Sequence, residues 1–220
     1  MRLAGARITV TDLAKVGEAM DREMEGLRSA GYRPFYIWGG GHCANGTLAY
    51  YEAVRELKSQ IEALDIHEPD FIIVASGTGS THAGLHLGAA CFLEDCTVIG
   101  VSVARNRERG QKVVEQSATE LATDLNLTNL KEMEVAFRDE FMGRGYGDPL
   151  PEVASTIRRV LQAEALALDP VYTGKAFFGL ETMVEKGQVP EGSHVVFWHT
   201  GGLINLLSAS QSALGTVESP

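Results

Sequence analysis

Residues 71–90 constrain the fold of this 220-residue chain more than any other stretch. Phe71-Ile72-Ile73-Val74-Ala75 is a short apolar run rich in β-branched residues, the pattern of a buried strand. Ser76-Gly77-Thr78-Gly79-Ser80-Thr81-His82-Ala83-Gly84 follows at once, and Leu85, Leu87 and Ala89-Ala90 continue in a helical manner. A strand that breaks into a glycine-rich turn and then opens a helix is suited to hold a phosphate. Glycines let backbone N–H groups approach the anion and hydroxyls add donors. The first helical turn brings unpaired N–H groups and a favourable dipole. No basic residue sits in the loop, so a cradle here works by neutral donors and suits a fixed cofactor phosphate better than a triphosphate with magnesium. The bland alternative is a tight strand-to-helix turn that uses small residues.

Two nucleotide signatures are excluded. The P-loop closes its glycine run with Lys-Ser or Lys-Thr, which this loop lacks. The dinucleotide fingerprint needs an acidic residue after the next strand, whereas Thr97-Val98-Ile99-Gly100-Val101-Ser102-Val103 runs into Ala104-Arg105.

With 45% hydrophobic residues the chain can bury a real core as one domain or slightly more. A formal net charge of −10 argues against nucleic acid or an anionic membrane as partner. No apolar run is long enough to span a bilayer, and the N-terminus has no signal-peptide pattern. Cys43, Cys91 and Cys96 form an odd, sparse set that fits reduced thiols in a cytoplasm.

The spacing predicts a strand over 6–10, a helix capped by Thr11-Asp12 with Leu13, Val16, Met20, Met24 and Leu27 on one face, and an end at Gly31. A second strand is expected over 33–38, and Tyr50, Val54, Leu57, Ile61 and Leu64 mark a long helix. After the glycine-loop unit come a strand over 97–103 and helices near 106–125, 152–166 and 174–186. A last strand over 194–198 precedes Gly201-Gly202. Such alternation indicates an α/β fold with a largely parallel sheet, whose ligands collect at the carboxyl ends of the strands. Besides the glycine loop, Gly145-Tyr146-Gly147-Asp148-Pro149, Asp169-Pro170-Val171-Tyr172-Thr173-Gly174-Lys175 and Trp198-His199-Thr200-Gly201-Gly202 could meet there.

Those four motifs, in that order and spacing, resemble the D-cysteine desulfhydrase / 1-aminocyclopropane-1-carboxylate deaminase family of pyridoxal-phosphate enzymes. The resemblance implies a three-layer parallel-sheet α/β fold of the tryptophan synthase β-like class (fold type II) that lacks its N-terminal portion. Residues 1–40 would be the remainder of a small domain and 41–220 a large cofactor-binding domain. It further implies that Gly77, Thr78, Gly79, Ser80 and Thr81 hold the phosphate of pyridoxal 5'-phosphate and that Thr200 faces the pyridine nitrogen. A neutral hydroxyl does not hold that nitrogen protonated, which suits elimination of a good leaving group from a β-carbon. Tyr172 and Tyr146 match the family's two active-site tyrosines. A phenol with an ordinary pKa of about 10 is a poor base until its environment lowers it, and both could simply pack and hydrogen-bond.

Deaminase-type members resemble one another in a Tyr-Glu pair and a His-Leu-Gly-Gly segment. Tyr172-Thr173 and His199-Thr200-Gly201-Gly202 depart from both, toward the desulfhydrase branch. The family's Schiff-base lysine falls in a portion that this chain does not match, so the resemblance implies no turnover by the chain alone. Lys175 belongs to the motif's helix start, and Lys15, Lys58, Lys112, Lys131 and Lys186 look solvated. His42-Cys43 replaces two small polar residues, but neighbours in an extended segment point apart, which disfavours a nucleophile–base pair. His82 and His86 are spaced for zinc on a helix, yet no third ligand is in evidence and no metal is expected. Three readings remain: part of a lyase or deaminase for a small amino acid, completed by a lysine-bearing piece; an inactive paralogue serving as a binding or regulatory subunit; or a phosphosugar-binding enzyme. Self-association or an obligate partner, as a homo-oligomer or a complex with an N-terminal subunit, is expected.

Overall fold

Every residue of β1 (Phe71–Ser76) after the first is buried, because both faces of the strand are covered. Ile72 and Val74 point into one apolar cluster with Val98 and with Val54, Ile61, Leu85 and Ala89 of two helices. Ile73 and Ala75 point into another, with Ile99, Val101, Ala176 and Met183. Helix, sheet and helix therefore form three layers, and the unbroken apolar run is what a strand between two helical layers requires.

The computed structural model describes residues 2–12, 15–128, 130–131, 134–148 and 150–209. The chain divides into two units, Met1–Trp38 and Gly39–Pro220. In the first, a 3-10 turn at Arg2–Ala4 precedes α1 (Val16–Ser29). Gly31 at φ 84° ends that helix, with Tyr32 N–H on the Leu27 carbonyl at 3.0 Å. Thr11-Asp12 does not cap α1; Lys15 precedes it without a side-chain cap. Leu13 lies outside the described residues. The strands expected over 6–10 and 33–38 are not formed. Both segments are largely exposed and neither joins a ladder; alternating apolar residues make a strand only where a second backbone accepts its hydrogen bonds.

In the second unit, α2 (Ala44–Leu64) leads to β1, then α3 (Ser80–Phe92), β2 (Thr97–Ser102), α4 (Arg107–Asp124) and β3 (Ala136–Arg138). After these come α5 (Pro151–Glu164), α6 (Thr173–Glu185), β4 (Val195–Trp198) and α7 (Leu203–Ser208). The strands lie in the order β3-β2-β1-β4, all parallel. Ile73 faces Ile99 on one side and Phe197 on the other. β3 and α7 were not legible from spacing. Because the sheet is parallel, β1, β2 and β4 all run out at one edge, and Ser76, Ser102 and Trp198 mark it. Among the described residues no helix is long and apolar enough to cross a membrane. All three cysteines are free. Cys96, in the turn before β2, is the buried one, and Cys91 on α3 is half-buried.

Candidate active site

The glycine loop opens directly from β1. Gly77, Thr78 and Thr81 are half-buried, while Gly79 and Ser80 are buried. Gly79 caps α3 at φ 107°, and a Cβ there would stand 3.0 Å from the Val113 side chain of α4. Only glycine holds that left-handed turn so close to a neighbour. The first turn of α3 has no side-chain cap, so its N–H groups are left for an anion. Ser76 Oγ, one residue before the loop, is buried without a partner. Thr78 is wedged against Gly40, where a Cβ would lie 2.9 Å from Thr78 Oγ1. An uncapped helix start, a bare glycine and an orphaned buried hydroxyl fit a phosphate ester.

A cation missed at the sequence level borders this loop. Arg105 Nη1 donates to the Gly77 carbonyl. Ser102 turns the chain for it: its Oγ accepts from the N–H of Ala104 at 3.2 Å and of Arg105 at 3.0 Å, and donates to the Arg105 carbonyl at 2.6 Å. Burial, with Arg109 beside it, pushes the Arg105 guanidinium down from its ordinary pKa. His42 is close enough for Arg105 to act on it: burial first and then Arg105 lower its imidazole pKa, with Glu120 opposing. His42 Nδ1 is enclosed without a partner. Cys43 is exposed at the start of α2, its backbone extended at φ −159°.

The Asp169–Lys175 motif is built around a wholly buried carboxylate. Asp169 accepts from the backbone N–H of Val171 and Tyr172 at 3.0 Å and of Thr173 at 2.8 Å. The Thr173 hydroxyl adds a bond at 2.8 Å and the Asn205 amide one at 3.3 Å. Gly202 presses on the same group: at φ 112°, a Cβ on it would lie 2.5 Å from Asp169 Oδ1. His199 Nδ1 accepts from Gly201 N–H at 3.2 Å, which leaves Nε2 to donate to the Ala167 carbonyl at 2.9 Å. The neutral Nε2–H form satisfies both bonds. Thr200, exposed, lies two residues past the end of β4.

This scaffold aims Tyr172 at the loop. A Cβ added to Gly77 would lie 3.7 Å from Tyr172 Cε1. The Tyr172 and Tyr146 hydroxyls meet at 2.5 Å, with ring centroids 5.9 Å apart and planes at 73°. Burial, the hydrogen bond to Tyr146 and the Asp169 charge all push the Tyr172 phenol above its ordinary pKa. Its environment therefore keeps the proton on, where use as a resting base would need the opposite shift. Lys175, in the same motif, is wholly buried, its Nζ donating to the Met142 carbonyl at 2.7 Å and the Gly145 carbonyl at 3.2 Å. Pro149, at the end of the Tyr146 loop, lies outside the described residues.

The structure thus brings the glycine loop, Tyr172 and Tyr146 together and joins the 169–175 and 199–202 motifs through Asp169. His82 is elsewhere. On α3, its buried ring packs over Gly100 of β2 and stacks on Phe137 with ring centroids 6.0 Å apart. Among the described residues no three His, Cys, Asp or Glu side chains are grouped to hold a metal ion.

A parallel sheet with an anion-ready loop at its carboxyl edge and a phenol beside it fits a pyridoxal-phosphate enzyme. Residues 1–201 match the family "Pyridoxal-phosphate dependent enzyme", and the chain belongs to it. The cofactor of that family is pyridoxal phosphate. The chain is 37% identical over 203 residues to a Pyrococcus abyssi protein named as a 1-aminocyclopropane-1-carboxylate deaminase, covering 92% of this chain and 59% of the relative. It is 34% identical over 192 residues to D-cysteine desulfhydrase of Klebsiella pneumoniae, covering 86% and 57%. A crystal structure of an ACC deaminase homologue aligns with TM-score 0.79 at 34% identity, covering 90% of this chain and 58% of that one. The chain spans less than two thirds of the length of each. The tryptophan synthase β-like architecture expected from the four motifs is the one found.

Proposed function

We propose that this chain is the phosphate-holding part of a pyridoxal-phosphate lyase that acts on a small amino acid by β-elimination of the D-cysteine desulfhydrase type. In this reading residues 1–40 belong to a small domain and 41–220 to a large one. The Schiff-base lysine comes from a separate segment, within a cytoplasmic homo-oligomer or a complex with a lysine-bearing subunit. The observation that carries the proposal is the approach of Tyr172 to Gly77, which sets a phenol pair at the rim of the cradle.

Pyridoxal phosphate supplies an electron sink for the bond-breaking at a bound amino acid. The protein groups do the rest. Backbone N–H groups from Gly77 to Thr81 and the start of α3 take the phosphate, while Arg105 holds the loop from the side. Tyr172 keeps its proton at neutral pH and so serves as a hydrogen-bond donor to a departing group. Tyr146, 64% exposed, connects that proton to solvent. Thr200 would offer its hydroxyl to the ring nitrogen of the cofactor. Thr173, where deaminase-type members resemble one another in Glu, is wholly buried and donates to Asp169. A glutamate in that place would set one carboxylate against another, and the threonine is the departure from the deaminase pattern on which this reading leans.

A second reading, an inactive paralogue that binds the cofactor, is favoured by one observation: Lys175, in the same motif as Tyr172, is buried and occupied by two carbonyls. The test assays the chain with pyridoxal phosphate, alone and co-expressed with the lysine-bearing segment of a relative. Sulfide from D-cysteine is followed beside ammonia from 1-aminocyclopropane-1-carboxylate. Sulfide release on co-expression supports the lyase, and ammonia without sulfide overturns β-elimination. Cofactor binding with neither product supports the paralogue.

A further inference from the structure

Lys175 is the one cation among the largest fully buried side chains of the described residues. An ammonium is seldom taken out of water unless something specific holds it. Here two backbone carbonyls do, those of Met142 at 2.7 Å and Gly145 at 3.2 Å. Both belong to the loop that carries Tyr146, and Gly145 immediately precedes it. Tyr146 is flanked by Gly145 at φ 148° and Gly147 at φ 73°, so its own neighbours give the phenol no stiffness. Asp148 steadies the far side of the loop by accepting from Arg144 N–H at 2.9 Å and from its guanidinium at 2.8 Å. Tyr172 and Lys175 both leave the start of α6. One helix start grips the loop twice, through its backbone by the ammonium and through Tyr146 by the phenol.

We infer that Lys175 is a positioning residue: by holding the Met142 and Gly145 carbonyls it sets Tyr146 Oη against Tyr172 Oη. The inference deepens the proposed site, resting on it only in treating the phenol pair as functional. The contact itself needs no cofactor. Lys175 is neither the imine-forming lysine nor a group that meets substrate. The ionisable groups acting on Tyr172 are Tyr146 and Asp169, and the one acting on Lys175 is Asp148. Burial is the larger influence on the lysine and lowers its pKa, while Asp148 raises it.

The experiment uses the full chain without cofactor, with difluorotyrosine in place of Tyr172 to bring that phenol's titration into the range where the chain stays folded. Tyr146→Phe removes the neutral phenol that donates to the ionised difluorotyrosine, so the midpoint rises by about one pH unit. Lys175→Met is expected to raise it at least as much, and the double variant no further than Lys175→Met alone, because both changes break the same contact. Lys175→Arg, which keeps a cation, restores part of the shift. Hydrogen exchange at residues 143–147 rises about tenfold in Lys175→Met. If Lys175→Met does not fold, Lys175→Gln is read in the same way. A midpoint unmoved by the lysine change, or shifts that add, overturns the inference. Failure of pyridoxal phosphate to bind would remove the proposed function and leave this titration untouched.

Discussion

The Arg105 guanidinium ties the end of β2 to the glycine loop by donating to the carbonyl oxygen of Gly77. In a trans peptide the carbonyl and the following N–H point in opposite directions, so holding Gly77 O also fixes the Thr78 N–H. That is one of the donors on which the proposed cradle depends. Arg105→Met is expected to weaken pyridoxal phosphate binding about tenfold, the loss of one charge-assisted bond of about 1.5 kcal/mol. Calorimetric titration at fixed salt checks this; an unchanged Kd would make the tie irrelevant to the cradle.

Gly79→Val combines a left-handed φ of 107° with a Cβ 3.0 Å from Val113. Strain and crowding together are expected to cost about 2–3 kcal/mol of stability and to close the cradle. Urea unfolding and cofactor titration read the two effects separately. Normal cofactor binding by this variant would remove the loop from the site.

Asp169 accepts five hydrogen bonds in a fully buried position. Asn in its place keeps the shape but presents an NH2 toward N–H donors on one side. A loss of about 2–4 kcal/mol is expected, with Tyr172 freed from its place. Chemical denaturation gives the first, and the exposure of tyrosine in near-ultraviolet difference spectra gives the second. A variant as stable as the parent would contradict this role.

His82 carries the clearest pH dependence. Burial, with His86 adding to it, lowers its pKa from 6.5 to about 3, while the Val98 backbone acts the other way. Between those values the unfolded chain binds a proton that the folded chain does not, so stability falls as pH drops through that window. The slope is about 1.4 kcal/mol per pH unit for this group. His82→Gln has no such proton to bind, and its unfolding free energy should flatten between pH 6 and 4, as about two units inside the window. Equal slopes in parent and variant would show that other groups govern acid unfolding.

The buried strand at 71–76 and the turn into α3 were legible because a strand covered on both faces must be apolar throughout and glycine marks the turn. The helices other than α7 followed from their periodicity. β3 was not legible: three residues are too few to show a period, and Ala136–Arg138 is a strand only because β2 lies beside it. The reverse error at 6–10 and 33–38 has the same origin, since local alternation says nothing about whether a partner strand is present. The resemblance named Tyr172 and Tyr146, but not that they touch. That contact depends on Lys175 reaching a loop about thirty residues away, and Arg105 reaches the glycine loop across a strand neighbour. Long-range neighbours of this kind leave no local pattern to read.

The most direct test of the loop as a phosphate cradle compares pyridoxal phosphate with pyridoxal, which differs only in lacking the phosphate. Both are titrated into the full chain under identical salt, followed by borohydride reduction and mass analysis. Several backbone donors acting on the phosphate should make the phosphorylated compound bind about a hundredfold more tightly, with no reduced adduct on Lys175. Equal affinity for the two compounds would contradict the cradle.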